Sequence, residues 1–309
     1  ASAKPIYHEY INLSKVLSSS YVSIISPSRW FTGGKGLDLF RSKMIEENKF
    51  RTLIDFSDSK ECFSGVEVKG GVNYFLWDIN YNGECNVKNI YKNNNTSLKR
   101  FLKLEDIDIF IRYNTLYTIF KKVHKKENCT FDILVSSRKP FDLDTSTKID
   151  DSKSKNSLKI YGKSKIGYID KKKIKKNNEL INKQKIFITY AYGAGEGFPH
   201  QIINKPIIAP LGSVCTETYL SIGPFESEEE VNNAYKYIKT KFFRALVLIA
   251  KNSQHATSKT YRFVPIQNFT EKSDINWGKS SDEIDKQLFE KHKLSDEEKK
   301  YIKEIIKDM

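Results

Sequence analysis

Cysteine and histidine are scarce in this sequence, and neither is clustered. Four cysteines and five histidines occur among 309 residues, and no two cysteines form a C-x-x-C pair. A zinc site needs several such ligands at close spacing, and a disulfide framework needs paired cysteines in a short chain. We therefore predict neither, and we expect reduced thiols, as in cytoplasmic proteins, at Cys62, Cys85, Cys129 and Cys215.

Long apolar runs are missing as well. No run approaches the roughly 18 residues of a membrane-spanning helix, and no signal peptide opens the sequence. We therefore expect no membrane partner and a cytoplasmic location. Apolar residues still make up 39% of the 309 residues, which is enough for two compact domains with cores of their own.

Acidic residues are outnumbered by basic ones, 38 against 52, so the net charge is +14. This excess favours a polyanionic partner, nucleic acid before a membrane, although a solvated lysine-rich surface has the same composition. Residues 142–183 concentrate lysine and include Lys171, Lys172 and Lys173. We expect an ordered basic segment here rather than a mobile loop, because its apolar residues could form strands: Leu158, Ile160, Tyr161, Ile166, Tyr168 and Ile169.

The stretch FSGVEVKGGVNYFLWD, residues 63–78, organises the first part of the chain. Its second half is almost entirely apolar and too short for a soluble helix, which is typical of a strand covered on both faces. Asn82-Gly83 follows, and this dipeptide is a strong hairpin signal. We predict a strand at about 72–80, a tight turn, and a return strand at about 84–91 that closes a hairpin.

Helical and strand patterns alternate before this stretch. We predict strands at 21–26 and 50–56, a short helix at 37–44, and a first helix from the spacing of Ile6, Tyr10, Leu13 and Leu17. This order fits half of an α/β sheet whose remaining strands lie elsewhere. The loop Gly33-Gly34-Lys35-Gly36 precedes the short helix, and it could bind phosphate through backbone amides or simply form a sharp turn.

Strand and helix signals also follow one another after residue 130. We predict strands at 130–135, 186–192, 207–209 and 214–222, and an amphipathic helix through 231–249. Capping boxes at Ser227, Ser280 and Ser295 predict helix starts, the last two opening helices at about 281–291 and 296–307. Gly193-x-Gly195-x-Gly197 follows a strand but opens no helix, so we do not interpret it as a cofactor loop.

Several segments together resemble a known family. SIISPSRWFTGGKGLDLFR at 23–41, the stretch at 63–78, KIFITYAYGAGEG at 185–197 and GSVCTETYLSIGPFESEEE at 212–230 are similar to the C-terminal part of gamma-class adenine-specific DNA methyltransferases. These enzymes belong to type II restriction-modification systems and include fusions to nucleases. The resemblance implies an α/β fold with a partial S-adenosylmethionine-dependent methyltransferase sheet in residues 1–91. It further implies a mixed α/β DNA target-recognition domain in 92–270 and C-terminal helices in 271–309.

Two elements of the family's chemistry are missing from this sequence. Methyl transfer to an adenine amine uses bound S-adenosylmethionine and an [N/D/S]-P-P-[Y/F/W] loop, whereas none of the eight prolines here is adjacent to another. In the family, that loop and the glycine loop for the cofactor both precede the block matching residues 1–20. The resemblance therefore implies that a missing N-terminal part of the same polypeptide supplies them. We expect this chain alone to bind no S-adenosylmethionine and to transfer no methyl group, and magnesium to matter only if the parent carries a nuclease.

The resemblance also assigns residues to double-stranded DNA. An aromatic side chain in the loop before the last hairpin stacks on the flipped adenine in the family, and Phe63 matches that position; the alternative is that Phe63 turns inward against Val66 or Trp30. We further predict that six basic residues and two tyrosines contact DNA: Arg29, Lys35, Lys69, Lys171, Lys172, Lys173, Tyr190 and Tyr192.

Two other functions stay open on the sequence alone. Asp55, Glu67 and Lys69 have the D…E-x-K form in which two carboxylates hold magnesium in a nuclease while the lysine assists the attacking water. The chain could also be a DNA-specificity subunit without catalysis. That function predicts that residues 1–80 fold as an independent domain, with no need of strands from elsewhere.

Overall fold

The computed structural model describes residues 4–91, 94–105, 107–125, 129–193, 199–251 and 254–309. The chain divides into two compact units, residues 1–118 and 119–309. Among the helices that the structure describes, none is both long and apolar enough to cross a membrane. The predicted glycine motif at 193–197 lies mostly outside the described residues.

The first unit contains one sheet and the helices around it. Its elements are α1 (Tyr7–Leu17), β1 (Tyr21–Pro27), α2 (Asp38–Glu46), β2 (Phe50–Phe56), β3 (Val72–Asp78), β4 (Cys85–Tyr91) and β5 (Asn94–Arg100). The next helix, α3 (Asn114–His124), begins in this unit and ends in the second. The predicted strands at 21–26, 50–56, 72–80 and 84–91 and both predicted helices are therefore confirmed. The unit continues past residue 91 because β5 pairs with β4 in the same sheet.

The strand order of this sheet is β1-β3-β2-β4-β5, and it shows that the predicted hairpin is wrong. β2 lies between β3 and β4, antiparallel to the former and parallel to the latter. Leu53, fully buried in β2, stands opposite both Phe75 in β3 and Val87 in β4, so β2 takes the centre of the sheet. The Asn82-Gly83 turn instead carries the chain past the start of β2, where the amide of Gly83 donates to the carbonyl of Asn48 at 3.0 Å.

The sheet has one covered face and one open face. The covered face packs against α2 and the segment around Trp30, Phe31 and Phe110, whose rings contact one another. The open face leaves Tyr21, Ile25 and Tyr74 exposed to 61%, 43% and 37%. In α1 the helically spaced apolar residues also face solvent, and of its residues only Ile11 is buried: the exposed ones are Tyr10, Leu13, Val16 and Leu17.

The second unit contains two small sheets and four helices in its described residues. β6 (Ser157–Tyr161) pairs with β7 (Ile166–Asp170) and with β10 (Ser213–Cys215), while β8 (Gln184–Thr189) pairs with β9 (Ile207–Ala209) and β11 (Tyr219–Phe225). The helices are α4 (Glu228–Lys239), α5 (Lys241–Ala250), α6 (Ser281–Lys291) and α7 (Asp296–Ile305). The α/β class and an ordered lysine-rich segment are thus confirmed.

Three boundaries in the second unit differ from the prediction. Residues 130–135 form a 3-10 turn rather than a strand, because Phe131 is fully buried against Phe243 and only the two flanking residues make isolated bridges. The predicted strand at 214–222 divides into β10 and β11. The predicted helix through 231–249 divides at Thr240, whose extended backbone ends α4 and whose hydroxyl caps α5 by accepting from the amide of Phe243.

The helix starts predicted from sequence are well formed. At Ser280 and Ser295 both halves of the capping box are present, with the serine hydroxyl on the amide three residues later and the glutamate on the serine amide. Ser227 accepts from the amide of Glu230 at 3.1 Å, while the Glu230 carboxylate reaches the amide of Glu226. The last two helices pack against α5 within the second unit. The functional boundaries proposed at 91/92 and 270/271 stay a prediction.

A buried ion pair fixes the end of β2 in the first unit. Arg112 donates from Nε to Asp55 Oδ2 at 2.6 Å and from Nη2 to Asp55 Oδ1 at 2.8 Å. The hydroxyl of Ser28 donates to Asp55 Oδ1 at 2.8 Å, and the amide group of Asn73 donates to that hydroxyl at 3.3 Å. Asp55 is fully buried, so its charge depends on these donors for stabilisation.

We expect Arg112→Ala to lower the free energy of unfolding by about 3–5 kcal/mol, because it leaves the Asp55 carboxylate buried without its counter-charge. Urea denaturation followed by fluorescence of the first unit's tryptophans measures this loss. Lys103→Ala is the matched control, because it breaks an ion pair to Glu46 whose side chains are 45% and 49% exposed, and it should cost at most about 1 kcal/mol. Equal losses in the two variants would contradict the role given to the buried pair.

A second buried charge makes stability depend on pH. Lys185 in β8 is fully buried, and its ammonium donates to the carbonyls of Ile181 and Lys183 at 2.9 and 3.2 Å. Burial lowers the pKa of Lys185 to about 8, below its ordinary 10.5. Between these two values the unfolded chain binds more protons than the folded one, so stability rises with pH in that window.

We expect the wild-type protein to gain on the order of 2 kcal/mol between pH 8 and 10 from Lys185, since one pKa unit corresponds to about 1.4 kcal/mol. Lys185→Met removes the ionisable group, so its unfolding free energy should gain less over the same interval. Denaturant titrations of both proteins at several pH values give the difference, in which other titrating groups cancel. Parallel pH profiles would refute the assignment.

Candidate functional site

Two loops meet at one edge of the first unit's sheet. β1, β2 and β4 run in the same direction, since β1 and β2 are both antiparallel to β3 and β4 is parallel to β2. The loops 28–37 and 57–71 therefore both leave from the edge formed by the carboxyl ends of these strands, which we call the carboxyl edge. In open α/β sheets this edge is where ligands bind.

Direct contacts join the two loops. The amide of Ser28 donates to the carbonyl of Gly71 at 3.0 Å, and the Ser28 hydroxyl reaches Asp55. Gly71 has a φ of 79°, and a β-carbon there would lie 2.2 Å from the carbonyl oxygen of Phe56 and 2.6 Å from Nη2 of Arg112. Only glycine permits this approach. The Asp55–Arg112 pair and the end of the 57–71 loop thus support each other.

Phe63 is presented by a loop that its neighbour Ser59 holds in place. Ser59 is buried; its hydroxyl donates to the carbonyl of Val66 at 2.9 Å and accepts from the amide of Val68 at 2.8 Å. Its carbonyl accepts from the amide of Phe63 at 2.8 Å. The Phe63 side chain is 41% exposed, whereas Trp30, its suggested inward partner, is fully buried among other rings.

The predicted basic residues of the first unit are all exposed. Arg29 and Lys35 lie in the 28–37 loop and Lys69 in the 57–71 loop, so the carboxyl edge brings together the loops that carry them. Side chains of α2 cover the glycine turn that precedes this helix. The Asp38 carboxylate accepts from the amide of Gly34 at 3.1 Å and from Nη1 of Arg41 at 3.1 Å. An internal carboxylate thus takes a backbone amide that phosphate binding would require, which favours the sharp-turn interpretation of this loop.

The nuclease alternative loses support from the same geometry. Both carboxylate oxygens of Asp55 accept hydrogen bonds from Arg112, and one also accepts from Ser28. Glu67 lies exposed in the 57–71 loop. Across the residues that the structure describes, no three side chains of histidine, cysteine, aspartate or glutamate are placed to hold a metal ion.

The basic segment of the second unit presents its lysines from an ordered turn. Lys171, Lys172 and Lys173 are exposed on a 3-10 turn after β7, which Asp170 caps by accepting from the amide of Lys172 at 2.9 Å. Ile174 is buried directly after the turn and anchors it. Further on, the Lys176 ammonium reaches the hydroxyl of Ser137 at 3.4 Å, so this segment lies beside residues 136–140.

The two predicted tyrosines lie half-buried after β8. The ring of Tyr190 stacks on His255 at 4.9 Å, and the guanidinium of Arg138 lies 5.1 Å from the same ring. The backbone of Tyr192 donates to Gln254 and accepts from Lys251 at 2.7 and 2.9 Å. Sequence reasoning missed Arg138, His255 and Glu217, because their shared position depends on segments far apart in the chain.

Parts of this chain are similar to known sequences. Residues 1–63 match the model described as Eco57I restriction-modification methylase. A Mycoplasma pneumoniae protein described as an uncharacterized adenine-specific methylase is 27% identical over 121 residues. The match covers 39% of this chain and 29% of that relative, so the chain spans less than a third of the relative's length.

Two solved structures resemble the chain more distantly. The type IIG restriction endonuclease BpuSI has a TM-score of 0.37 and 12% identity, over 87% of this chain and 42% of that one. The type IIL restriction-modification enzyme MmeI, solved in complex with DNA, has a TM-score of 0.42 and 10% identity, over 82% and 39%. Residues 1–63 are similar to the Eco57I restriction-modification methylases, and this similarity, together with the match to an adenine-specific methylase, confirms the resemblance predicted from the sequence.

Proposed function

We propose that this chain is the C-terminal part of a site-specific DNA adenine methyltransferase, and that it supplies target recognition and one wall of the pocket for the flipped base. The observation that carries the proposal is the exposed ring of Phe63 on a pinned loop at the carboxyl edge. Chemistry on a base in a duplex requires the nucleotide to leave the stack, and an aromatic surface offsets part of the lost stacking energy.

The uncovered surface of the first unit suits the preceding part of the same polypeptide. Among the described residues β1 pairs with β3 alone, so its outer edge is open to another strand. Exposed apolar side chains flank that edge on α1 and on the open face of the sheet. The curated relative extends well beyond the 29% of its length that matches here, so a further segment has precedent. The open edge also favours a methyltransferase over a self-contained specificity subunit.

S-adenosylmethionine is the cofactor that the family implies for the parent enzyme, in which it supplies the methyl group. The glycine turn at 33–36, among the residues that the structure describes, does not fit it. The glycine turn at 33–36 closes on Asp38 and Arg41, and a β-carbon at Gly33 would lie 2.2 Å from Arg41 Nη1, so this turn leaves no cradle for a cofactor. Magnesium would belong only to a nuclease domain in the parent.

Phe63→Ala in the complete methyltransferase should cost about 1–3 kcal/mol of stabilisation of the flipped base, and methylation of duplex DNA should slow accordingly. Folding of this chain should change little, because an exposed ring leaves no cavity. If Phe63 were core, the same change would cost about 3–5 kcal/mol of stability instead. Melting temperature and methylation rate are the two measurements.

Val66→Ala is the control for Phe63, since Val66 is 49% exposed in the same loop but carries no ring. It should leave methylation near the wild-type rate. Phe63→Tyr should retain the rate because it keeps the stacking surface. A large loss of melting temperature in Phe63→Ala with normal methylation at low temperature would refute the stacking role.

The second unit should bind duplex DNA through lysine–phosphate contacts, with an affinity that falls by orders of magnitude as salt rises. The slope of log affinity against log salt is negative, and replacing Lys171, Lys172 and Lys173 with alanine should make it shallower by up to about 2.7, since each phosphate contact contributes about −0.9. Fluorescence anisotropy of this chain with a labelled duplex at several salt concentrations measures the slope.

The matched control removes the same charge elsewhere, by replacing Lys299, Lys300 and Lys303 on α7. A general effect of net charge would make the slope shallower by the same amount in both triple variants, whereas phosphate contacts at 171–173 would make it shallower only in the first. A salt-independent affinity of the wild-type chain, or no binding at low salt, would count against DNA recognition by this unit.

A further inference from the structure

We infer that Arg138 reads a guanine in the recognised DNA, as a specificity-determining residue of the second unit. The inference rests on the proposed function and names the part of the surface that distinguishes sequences. Lysines such as those at 171–173 hold phosphates and carry no sequence information directly. A side chain that reads a base edge must be exposed, held in one orientation, and able to offer two donors in a fixed geometry.

Arg138 meets the first two conditions through two contacts. Its side chain is 56% exposed, and its Nη2 forms an ion pair with Glu217 at 2.9 Å. The guanidinium also lies 5.1 Å from the ring centre of Tyr190, within the range of a cation–π contact. Tyr190 is backed in turn by the stacked ring of His255. The side chain is therefore held in one orientation while more than half of it stays open to a ligand.

Glu217 acts as the positioning residue for Arg138. Its side chain is only 11% exposed, and its Oε1 lies within 3.4 and 3.5 Å of the amide and the hydroxyl of Thr145. The amide of Glu217 donates to the carbonyl of Leu143 at 2.8 Å. This carboxylate is thus fixed before it meets Arg138. The ion pair uses one of the two N–H groups of Nη2. The other N–H of Nη2 stays available, together with a neighbouring guanidinium nitrogen, as a fork of two parallel donors.

The backbone around Arg138 is held in an unusual conformation. Lys139 and Asp142 have φ values of 58° although neither is glycine, and such strain persists only where surrounding contacts enforce it. Asn177 enforces it in part, since its side chain donates to the carbonyl of Pro140 at 2.8 Å. Lys176, which precedes Asn177, donates to the hydroxyl of Ser137, so the lysine-rich segment lies beside Arg138. Phosphate contacts and a base-reading side chain would then belong to one surface.

The chemistry of the fork selects the base. A guanidinium presents parallel donors that match the O6 and N7 acceptors of guanine in the major groove. Adenine offers a donor and an acceptor at the corresponding positions, so it satisfies only one of the two bonds. Loss of one such bidentate contact corresponds to about a 10- to 100-fold change in preference between the right and the wrong base.

Selection from a pool of random duplexes with this full chain tests the inference. The wild-type protein should enrich a motif that contains guanine. In R138A the preference at one guanine should fall about 10- to 100-fold, while binding to a fixed duplex without the motif should change less than about 3-fold. R138K keeps the charge and the pair with Glu217 but loses the fork, so it should lose the same preference. E217Q should relax the preference partially. Thermal melting of each variant confirms that it is folded.

The triple alanine variant at 171–173 should behave in the opposite way to R138A: it should weaken binding to every duplex and leave the enriched motif unchanged. An unchanged motif in folded R138A and R138K would overturn the inference, and so would a uniform loss of affinity, since that marks a phosphate contact. Binding by the wild type without any enriched motif would also overturn it. If the wild type bound no duplex even at low salt, the proposed function itself would fall.

Discussion

The bidentate pair between Asp55 and Arg112 is the interaction on which the first unit depends. It joins the end of the central strand to a segment more than fifty residues further along the chain, and Ser28 and Asn73 bring two more strands into the same network. A buried carboxylate is costly unless its donors are all in place. The network therefore fixes the ends of β1, β2 and β3 relative to one another, and these ends form the carboxyl edge.

The second unit uses charge differently. Its carboxylates hold segments that carry exposed basic side chains: Asp170 caps the lysine turn through a backbone amide, and Glu217 forms an ion pair with Arg138. Lysine and arginine have separate tasks in this arrangement. The lysines contribute a diffuse field that any polyanion would feel, whereas the planar guanidinium on Tyr190 offers direction.

Local patterns predicted the local structure well. The strand at residues 50–56 and the capping boxes at Ser280 and Ser295 depend on neighbours within a few positions, and these features agree with the structure. The hairpin at Asn82-Gly83 failed because the signal describes a turn and not the strand that inserts between its arms. The strand at 130–135 failed because burial of Phe131 outweighed its β-propensity.

The candidate sites divide in the same way. Phe63 could be found from sequence, because a ring among polar residues is unusual locally and a family motif surrounds it. The sequence did not reveal the roles of Arg112, Arg138 and Glu217, since each role depends on a partner that is distant in the sequence and close in the fold. Charge composition favoured a polyanionic partner, but it could not distinguish basic side chains that neighbouring residues hold in one orientation from those that do not have such contacts.

The loop at 57–71 separates what the fold requires from what a target base would contact. Its constraints lie at Ser59, which binds backbone groups of Cys62, Phe63, Val66 and Val68, and at Gly71, which admits no side chain. Between these anchors the side chains point largely to solvent, and substitutions there cost the fold little. The side chains of such a loop can change, and so fit a different base or a deeper pocket, while the sheet that carries the loop keeps its structure.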